Sequence, residues 1–180
     1  MFDLAQVPRL ETERLILRGW REDDLDGFAA MMADYDVARF LTNDQYPLDR
    51  QGAWRQMAMF VGHWALKGYG LFVVEEKATG AFLGRVGAWQ PEFWVGFELG
   101  WGLAREAWGK GYAREAARAA GDWAFENFAL EHLVSLIHQS NTSSARLAER
   151  LGMSAGEIKI HAAQPHTIWS VSREAWRSAA

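Results

Sequence analysis

The sequence predicts a mixed α/β (α+β) fold, in which helices pack on a mostly antiparallel sheet. Three consecutive segments at 71–75, 82–89 and 95–103 have strand-like composition and short intervening turns, which indicates an antiparallel meander. A long helical segment follows at 111–128, and strands and helices alternate after it. A chain of 180 residues can bury one substantial core, so we expect residues 1–180 to form a single domain.

The first third of the chain predicts one strand followed by three helices. Residues 13–20 alternate roughly between apolar and polar and predict the strand. Asp23-Asp24 then supply acidic charge suited to the start of the first helix. A short second helix is expected at 35–41 and a longer third helix at 49–66. The longer helix has apolar residues at helical spacing, which we expect to face the core: Trp54, Met57, Ala58, Val61 and Ala65.

The second half of the chain predicts a helix that packs closely on a sheet. Small residues recur at helical spacing within 111–128 and would let the helix approach its neighbours: Ala113, Ala116, Ala117, Ala120 and Ala124. Residues 132–138 are apolar and strand-like. Residues 141–151 indicate a helix that ends before Gly152, a residue favoured directly after a helix. Two further strands are expected, at 153–160 and 166–172.

The composition excludes several classes of function. Because the chain has no cysteine, it can form no disulfide, no thiolate metal site and no cysteine nucleophile. None of the five histidines has the spacing of paired metal ligands, so we expect no metal. The net charge of −4 gives no support to a nucleic-acid partner. The N-terminus lacks a basic-then-apolar leader and no long apolar run occurs, so we expect no membrane association and a cytoplasmic location.

Two glycines between the third meander strand and the long helix predict an anion-binding turn. Gly109 and Gly111 can adopt positive φ, and the first amides of the following helix have no partner within that helix. Lys110 adds a positive charge. The alternative is a plain strand-to-helix turn. The segment is not a Walker loop, because no Gly-Lys-Ser/Thr occurs, and it is not Gly-x-Gly-x-x-Gly, because Arg114 holds the third glycine position.

Four segments together resemble the GNAT superfamily of acyl-CoA N-acetyltransferases, in the branch of ribosomal-protein N-terminal (alanine/serine) acetyltransferases. The run Trp108-Gly109-Lys110-Gly111-Tyr112-Ala113 is similar to the family's Gln/Arg-x-x-Gly-x-Gly/Ala signature, with tryptophan at the first position. That tryptophan is frequent in this branch, but it removes a side-chain donor to the phosphates. The other three segments are the opening strand at 13–18, the strand at 97–101 and the Asn-x-x-Ser helix at 141–152.

The resemblance implies a central sheet of six to seven strands with helices on both faces, and acetyl-CoA as co-substrate of a monomer or homodimer. The cofactor's pyrophosphate would rest on the turn, at Trp108, Gly109, Lys110, Gly111, Tyr112 and Ala113. The pantetheine arm would pair with the preceding strand, where a backbone N–H also meets the thioester oxygen in the family, at Trp101, Gly102 and Leu103. The second helix would complete the cofactor site with Asn141, Ser144 and Arg146.

The resemblance also implies direct attack of a neutral amine on the thioester. Glu98 is the candidate general base, with Glu75 and Glu92 as weaker alternatives, and a structural ion pair is the other interpretation of Glu98. Ser144 is the candidate partner of the leaving sulfur, because no tyrosine follows Tyr112. A plain helix cap is the other interpretation of Ser144.

The acceptor is less well defined by the sequence. Candidate contacts are aromatic or imidazole side chains, which pack in a core more often than they line a site: Phe40, Tyr46, Trp54, Trp89, His138 and Trp169. The acceptor classes considered are a protein N-terminus, a small amine or amino acid, and an aminoglycoside-like drug. The alternative function is a catalytically silent CoA-binding regulatory module on the same fold.

Overall fold

The computed structural model describes residues 7–179, which form one eight-stranded sheet with helices on both faces. The strands are β1 (Leu10–Glu11), β2 (Leu15–Arg18), β3 (Leu71–Glu76), β4 (Phe82–Trp89), β5 (Glu98–Leu103), β6 (His132–His138), β7 (Ser154–His161) and β8 (Gln164–Ser172). The helices are α1 (Asp24–Ala33), α2 (Tyr35–Ala38), α3 (Arg50–Lys67), α4 (Tyr112–Asn127), α5 (Thr142–Arg150) and α6 (Arg173–Ser178), with a 3-10 turn at Arg105–Ala107.

The sheet has the strand order β1-β2-β3-β4-β5-β6-β8-β7, and its neighbouring strands are antiparallel except β5 and β6, which are parallel. The predicted mixed, mostly antiparallel class is therefore confirmed. The predicted count of six to seven strands is corrected to eight. The additional strand is β1, whose two residues are too few to give the alternation by which a strand is detected in a sequence.

Two cores cover the two faces of the sheet. On one face, α4 packs through buried alanines that include Ala116, Ala117 and Ala120, as the small-residue spacing predicted. Gly121 of the same helix touches the ring of Trp176, so α6 closes this core from the C-terminal end. On the other face, α1 and α3 form a second core that contains Phe28, Met31, Met32 and Phe60.

The predicted core face of the third helix is wrong. The buried residues of α3 are Ala53, Met57, Phe60, His63 and Trp64, whereas Trp54 and Ala58 are exposed. Apolar residues occur on nearly every side of this helix, so periodicity alone could not select the face that packs. The helix ends where expected, because Gly68 takes the left-handed conformation at φ 72°.

Two clusters of ion pairs connect β2 and the residue before it to α1, β3 and α4. Buried Arg18 of β2 bonds the carboxylates of Asp24 and Glu75, which raises the pKa of the guanidinium. Arg14, just before β2, bonds Glu115 of α4 through Nε at 2.7 Å. These contacts hold β2 against the start of α4, where the glycine turn lies. Within residues 7–179 no helix is both long enough and apolar enough to cross a membrane.

Candidate active site

A cavity of about 770 Å³ opens on the face of the sheet that carries α1 and α3. Its walls are the α2–α3 connection, part of α3, and the ends of β6, β7 and β8. Its floor is formed by β4 and β5, and it extends through the sheet to α5. The cavity therefore joins two of the four segments on which the family resemblance depends, the strand at 97–101 and the helix at 141–152.

The floor of the cavity is open because β5 and β6 separate almost as soon as they meet. The two strands share a single register pair, Glu98 with Val134. Beyond it, side chains replace the backbone ladder: the Ser135 hydroxyl donates to the Leu99 carbonyl at 2.7 Å, and the Leu136 N–H donates to Glu98 Oε1 at 3.2 Å. A linear molecule with amide groups could pair with the freed edge of β5.

The separation leaves the backbone of Trp101 and Leu103 facing the gap. Phe97 and Leu99 direct their carbonyls towards β6, and peptide groups along a strand alternate in direction, so Trp101 and Leu103 point the same way. Gly102 lies between them, in register with Arg85 of β4, and its backbone turns away from the gap. The expected backbone contacts at 101–103 therefore narrow to Trp101 and Leu103.

The glycine turn after β5 has the conformation that its sequence predicted. Gly109 and Gly111 have φ of 73° and 83°, in the left-handed region that favours glycine, and Gly111 caps α4 without a side-chain hydrogen bond. The backbone amides of residues 109–114 donate to no acceptor within the part of the chain that the structure describes. Six free amides at a helix start form a cradle for an anion.

The non-glycine residues of the turn have separate structural partners. Trp108 donates its indole N–H to the Leu103 carbonyl at 2.9 Å, so the ring bridges the end of β5 and the turn. Tyr112 is buried and donates its hydroxyl to Glu76. The Lys110 carbonyl accepts from Arg14, while Ala113 packs against the α4 core. Exposed Lys110 remains available to meet an anion.

Glu98 lies where the strands part, and its environment favours a neutral carboxyl group. Burial raises the pKa of Glu98 to about 7, although the Leu136 amide, the Trp94 indole and the charge of Arg85 all lower it. Trp94 donates to Glu98 Oε2 at 2.6 Å, so one hydrogen bond orients each oxygen. A carboxyl group that ionises near neutral pH suits proton transfer from an amine.

The two alternative carboxylates are placed elsewhere. Glu75 accepts a hydrogen bond from Arg18 at 2.7 Å. Glu92 is exposed and lies 3.6 Å from Lys67. Neither residue lines the cavity, so the geometry favours Glu98 among the three.

Asn141 and Ser144 meet the cavity at the start of α5. The Asn141 side chain accepts from the Ser144 N–H at 3.1 Å, which caps the helix. The Ser144 hydroxyl accepts from the Trp101 indole, also at 3.1 Å. The cap is thus made by Asn141, and the Ser144 hydroxyl is directed towards β5. Arg146 is two residues after Ser144, is exposed and does not line the cavity.

The structure divides the six predicted acceptor contacts into two groups. Phe40, Trp89 and His138 line the cavity. Tyr46 and Trp54 are exposed outside it, and Trp169 packs against the α4 core. The placement of these last three gives no support to a role in acceptor binding.

Several cavity residues were not identified from the sequence. His161 and His166 are two of them, and they join the predicted His138 because β6, β8 and β7 are adjacent; the ring centroids of His138 and His166 are 5.1 Å apart, and those of His166 and His161 are 5.5 Å apart. Burial lowers the pKa of both His161 and His166. Arg85 was also missed, since a charged residue in a strand is ordinarily read as exposed.

Comparisons with known proteins agree with this architecture. A family profile described as an acetyltransferase (GNAT) domain matches residues 14–154. YkkB from Bacillus subtilis (strain 168) is 35% identical over 152 residues, which cover 81% of this chain and 84% of that protein.

Solved structures show the same similarity. An acetyltransferase from Agrobacterium tumefaciens aligns with a TM-score of 0.83 at 30% identity, covering 93% of this chain and 96% of that one. A ribosomal-protein-S5-alanine acetyltransferase from Vibrio fischeri aligns with a TM-score of 0.71, covering 94% and 98%. At 19% identity, the second comparison shows a shared fold.

Proposed function

This chain belongs to the GNAT acetyltransferase family, and we propose that it transfers the acetyl group of acetyl-CoA to a primary amine by direct attack. The acceptor would be a small-molecule amine or a protein N-terminus. The observation that carries the proposal is the position of Glu98. Its carboxyl group, with a pKa of about 7, lies where β5 separates from β6 and exposes an unpaired strand edge to the cavity.

The residues present fit the proposed cofactor. The free amides of 109–114 and the exposed charge of Lys110 would hold the pyrophosphate. The backbone of Trp101 and the N–H of Leu103 would pair with the pantetheine amides, since the Leu103 carbonyl already accepts from Trp108. Asn141 and Ser144 border the same gap from α5. When bound, acetyl-CoA supplies a thioester carbonyl carbon to which the amine nitrogen bonds as the C–S bond breaks.

Each polar group at the gap has a defined task in this proposal. Ionised Glu98 accepts the proton that the amine nitrogen loses, directly or through one water. The Trp101 N–H faces the gap and can stabilise negative charge there. The Ser144 hydroxyl accepts from the Trp101 indole, so its own proton is free to hydrogen-bond the sulfur that leaves. The neutral amine loses one proton to Glu98 as the C–N bond forms, and the leaving thiolate takes up one proton from water beside the Ser144 hydroxyl. Glu98 then releases its proton to solvent, so the proton lost by nitrogen equals the proton gained by sulfur.

Two measurements test the proposal in sequence. Acetyl-CoA at one hundred times its Kd should stabilise the protein by about 2.7 kcal/mol in thermal unfolding. The absence of any such stabilisation would remove acetyl-CoA as the ligand. Thiol release is then followed across a panel of amines, and we expect turnover with at least one class. Stabilisation by acetyl-CoA without turnover across the panel would favour a silent CoA-binding module.

A further inference from the structure

Arg85 is a buried arginine that makes no hydrogen bond or ion pair within residues 7–179, and Glu98 is the acid whose charge acts on it. It lies on β4 at the floor of the cavity, and its residue is only 8% exposed. Its Nε is sealed from solvent without a hydrogen bond, and its guanidinium makes no ion pair with any residue from 7 to 179. Burying an unpaired charge is costly, so such a residue is expected to have a ligand.

The guanidinium is held in place by an aromatic ring. Its central carbon lies 5.0 Å from the ring centroid of Phe60, on α3. One face of the guanidinium is thereby covered, and the N–H groups along its edge stay free for a planar ligand. Burial lowers the pKa of Arg85 to about 10, so the side chain still carries its charge at neutral pH.

Arg85 and Glu98 lie on the same face of the sheet at opposite ends of the cavity floor. Glu98 is opposite Trp89, and Arg85 is opposite Gly102. Four residues along a strand separate the two Cα positions by about 13 Å, and the Glu98 side chain extends over Gly100 towards Arg85, so the carboxyl group and the guanidinium are closer than their Cα atoms. Gly87 and Gly100 lie between them in register and add no side chains of their own, so Glu98 Oε1 reaches to 3.9 Å from the position of a Cβ on Gly100. Arg85 and Glu98 line the same cavity, so a single small ligand could contact both the carboxyl group and the guanidinium.

We propose that Arg85 binds a carboxylate of the acetyl acceptor, which makes the acceptor an amino acid or a similar small amino carboxylate. The inference rests on the proposed function, because Glu98 must receive the amine for Arg85 to receive the other end. A guanidinium and a carboxylate match as a two-point hydrogen-bonded pair. Polyamines and aminoglycosides would instead place a second cation near Arg85 and be repelled.

The surrounding charges favour a carboxylate over a phosphate ester. A phosphate carries close to two negative charges at neutral pH, and the single charge of Arg85 cannot balance them in the presence of Glu98. A second buried polar atom without a hydrogen-bond partner indicates that the ligand also carries a hydrogen-bond donor. Gln56 Oε1, on α3 one turn before Phe60, is buried without a hydrogen-bond partner in the described part of the chain, and Gln56 lines the same cavity.

The test compares the common L-amino acids with their own carboxamides, which keep the amine and lose the negative charge. In the wild type, kcat/KM should be about 10- to 100-fold higher for the acid than for the amide, mainly through KM. In Arg85→Met, which nearly keeps the side-chain length, this preference should disappear. Equal use of acid and amide by the wild type, or an unchanged preference in Arg85→Met, would overturn the assignment.

Two controls separate a ligand-binding role from a structural one. Because the charge is unpaired, Arg85→Met should unfold at the same or a higher temperature than the wild type while keeping its thermal shift with CoA. A large loss of thermal stability would identify Arg85 as structural. Arg55→Met removes an exposed arginine at the rim of the same cavity and should change the preference by at most about fivefold. An equal loss of the acid-over-amide preference in both variants would indicate that the overall electrostatic potential of the cavity sets the preference, and would contradict the proposal.

A binding measurement keeps this inference distinct from the proposed transfer reaction. Calorimetric titration of the amino acids and their amides into the CoA complex requires no turnover. Binding of the acids alone, lost in Arg85→Met, supports the carboxylate site even if no acetylated product forms. Turnover of amines without regard to a carboxylate would support acetyl transfer and sink the role of Arg85.

Discussion

Replacing Glu98 by glutamine tests the general base through the dependence of rate on pH. With a pKa of about 7, the ionised fraction of Glu98 rises from about 0.1 at pH 6 to about 0.9 at pH 8. Glutamine cannot accept the proton at either pH. The ratio of wild-type to Glu98→Gln kcat/KM should therefore increase about tenfold between these two pH values.

The ratio of the two kcat/KM values does not depend on the ionisation of the acceptor amine, because both proteins react with the same amine. The assay is the initial rate of thiol release from acetyl-CoA with one acceptor across the neutral pH range. Glu92→Gln is the matched control, because it removes an equal charge from an exposed position outside the cavity. A wild-type to Glu98→Gln ratio that stays constant with pH would refute the role of Glu98.

The raised pKa of Glu98 also has a consequence for stability. The folded state favours the protonated carboxyl group, so its contribution is fully present below the ordinary value of 4.5 and is lost as the pH rises to about 7. The ionised group then opposes folding by a free energy on the order of 3 kcal/mol. Glu98→Gln should consequently gain stability relative to the wild type on going from mildly acidic to mildly alkaline pH, as measured by urea unfolding.

Two further substitutions test the cofactor site. Gly111→Val forces a β-branched side chain to φ 83°, within 3.4 Å of the Arg14 guanidinium, and should abolish the thermal shift with acetyl-CoA. Gly62→Ala is its control, because that helical position is open and the change should stabilise the protein by about 0.5–1 kcal/mol. Wild-type affinity of Gly111→Val for acetyl-CoA would contradict a phosphate-binding role for the glycine turn. Ser144→Ala should lower kcat about tenfold with an unchanged Kd for CoA, since Asn141 still caps α5. An unaltered kcat would exclude the Ser144 hydroxyl from the reaction.

The local elements of this fold could be predicted because their signals are local. The strand at 132–138 and the turn before α4 follow from apolar alternation and from two glycines, and the structure has both. The face of α3 could not be predicted, because Trp54 and Trp64 are equally apolar and only the packed sheet distinguishes them. Tyr46 and Trp169 illustrate the same limit, because they lie outside the cavity and nothing in the sequence separates them from the aromatic residues that line it.

The long-range features of the site needed the structure. The parting of β5 from β6 depends on strands more than thirty residues apart, so no window of sequence contains it. The neighbourhood of Arg85 is similar, because Phe60 and Gln56 come from α3 and the guanidinium from β4. Glu98 was identified only through the family resemblance. Its environment of Trp94 and Leu136 then provided a physical reason for the choice.

Because β5 and β6 share a single register pair, the backbone ladder of the sheet is nearly interrupted between these two strands. One part of the sheet contains β1 to β5 and the other contains β6 to β8. At the seam between β5 and β6, the side chains of Glu98 and Ser135 supply hydrogen bonds between the two parts. Amides along this seam should exchange with solvent through local opening well below the energy of global unfolding. A ligand that pairs with β5 would occupy the position of a further strand. Slower hydrogen exchange of the Trp101 and Leu103 amides would therefore indicate that the ligand is bound. The residue proposed as general base, Glu98, would then also hold the two parts of the sheet together.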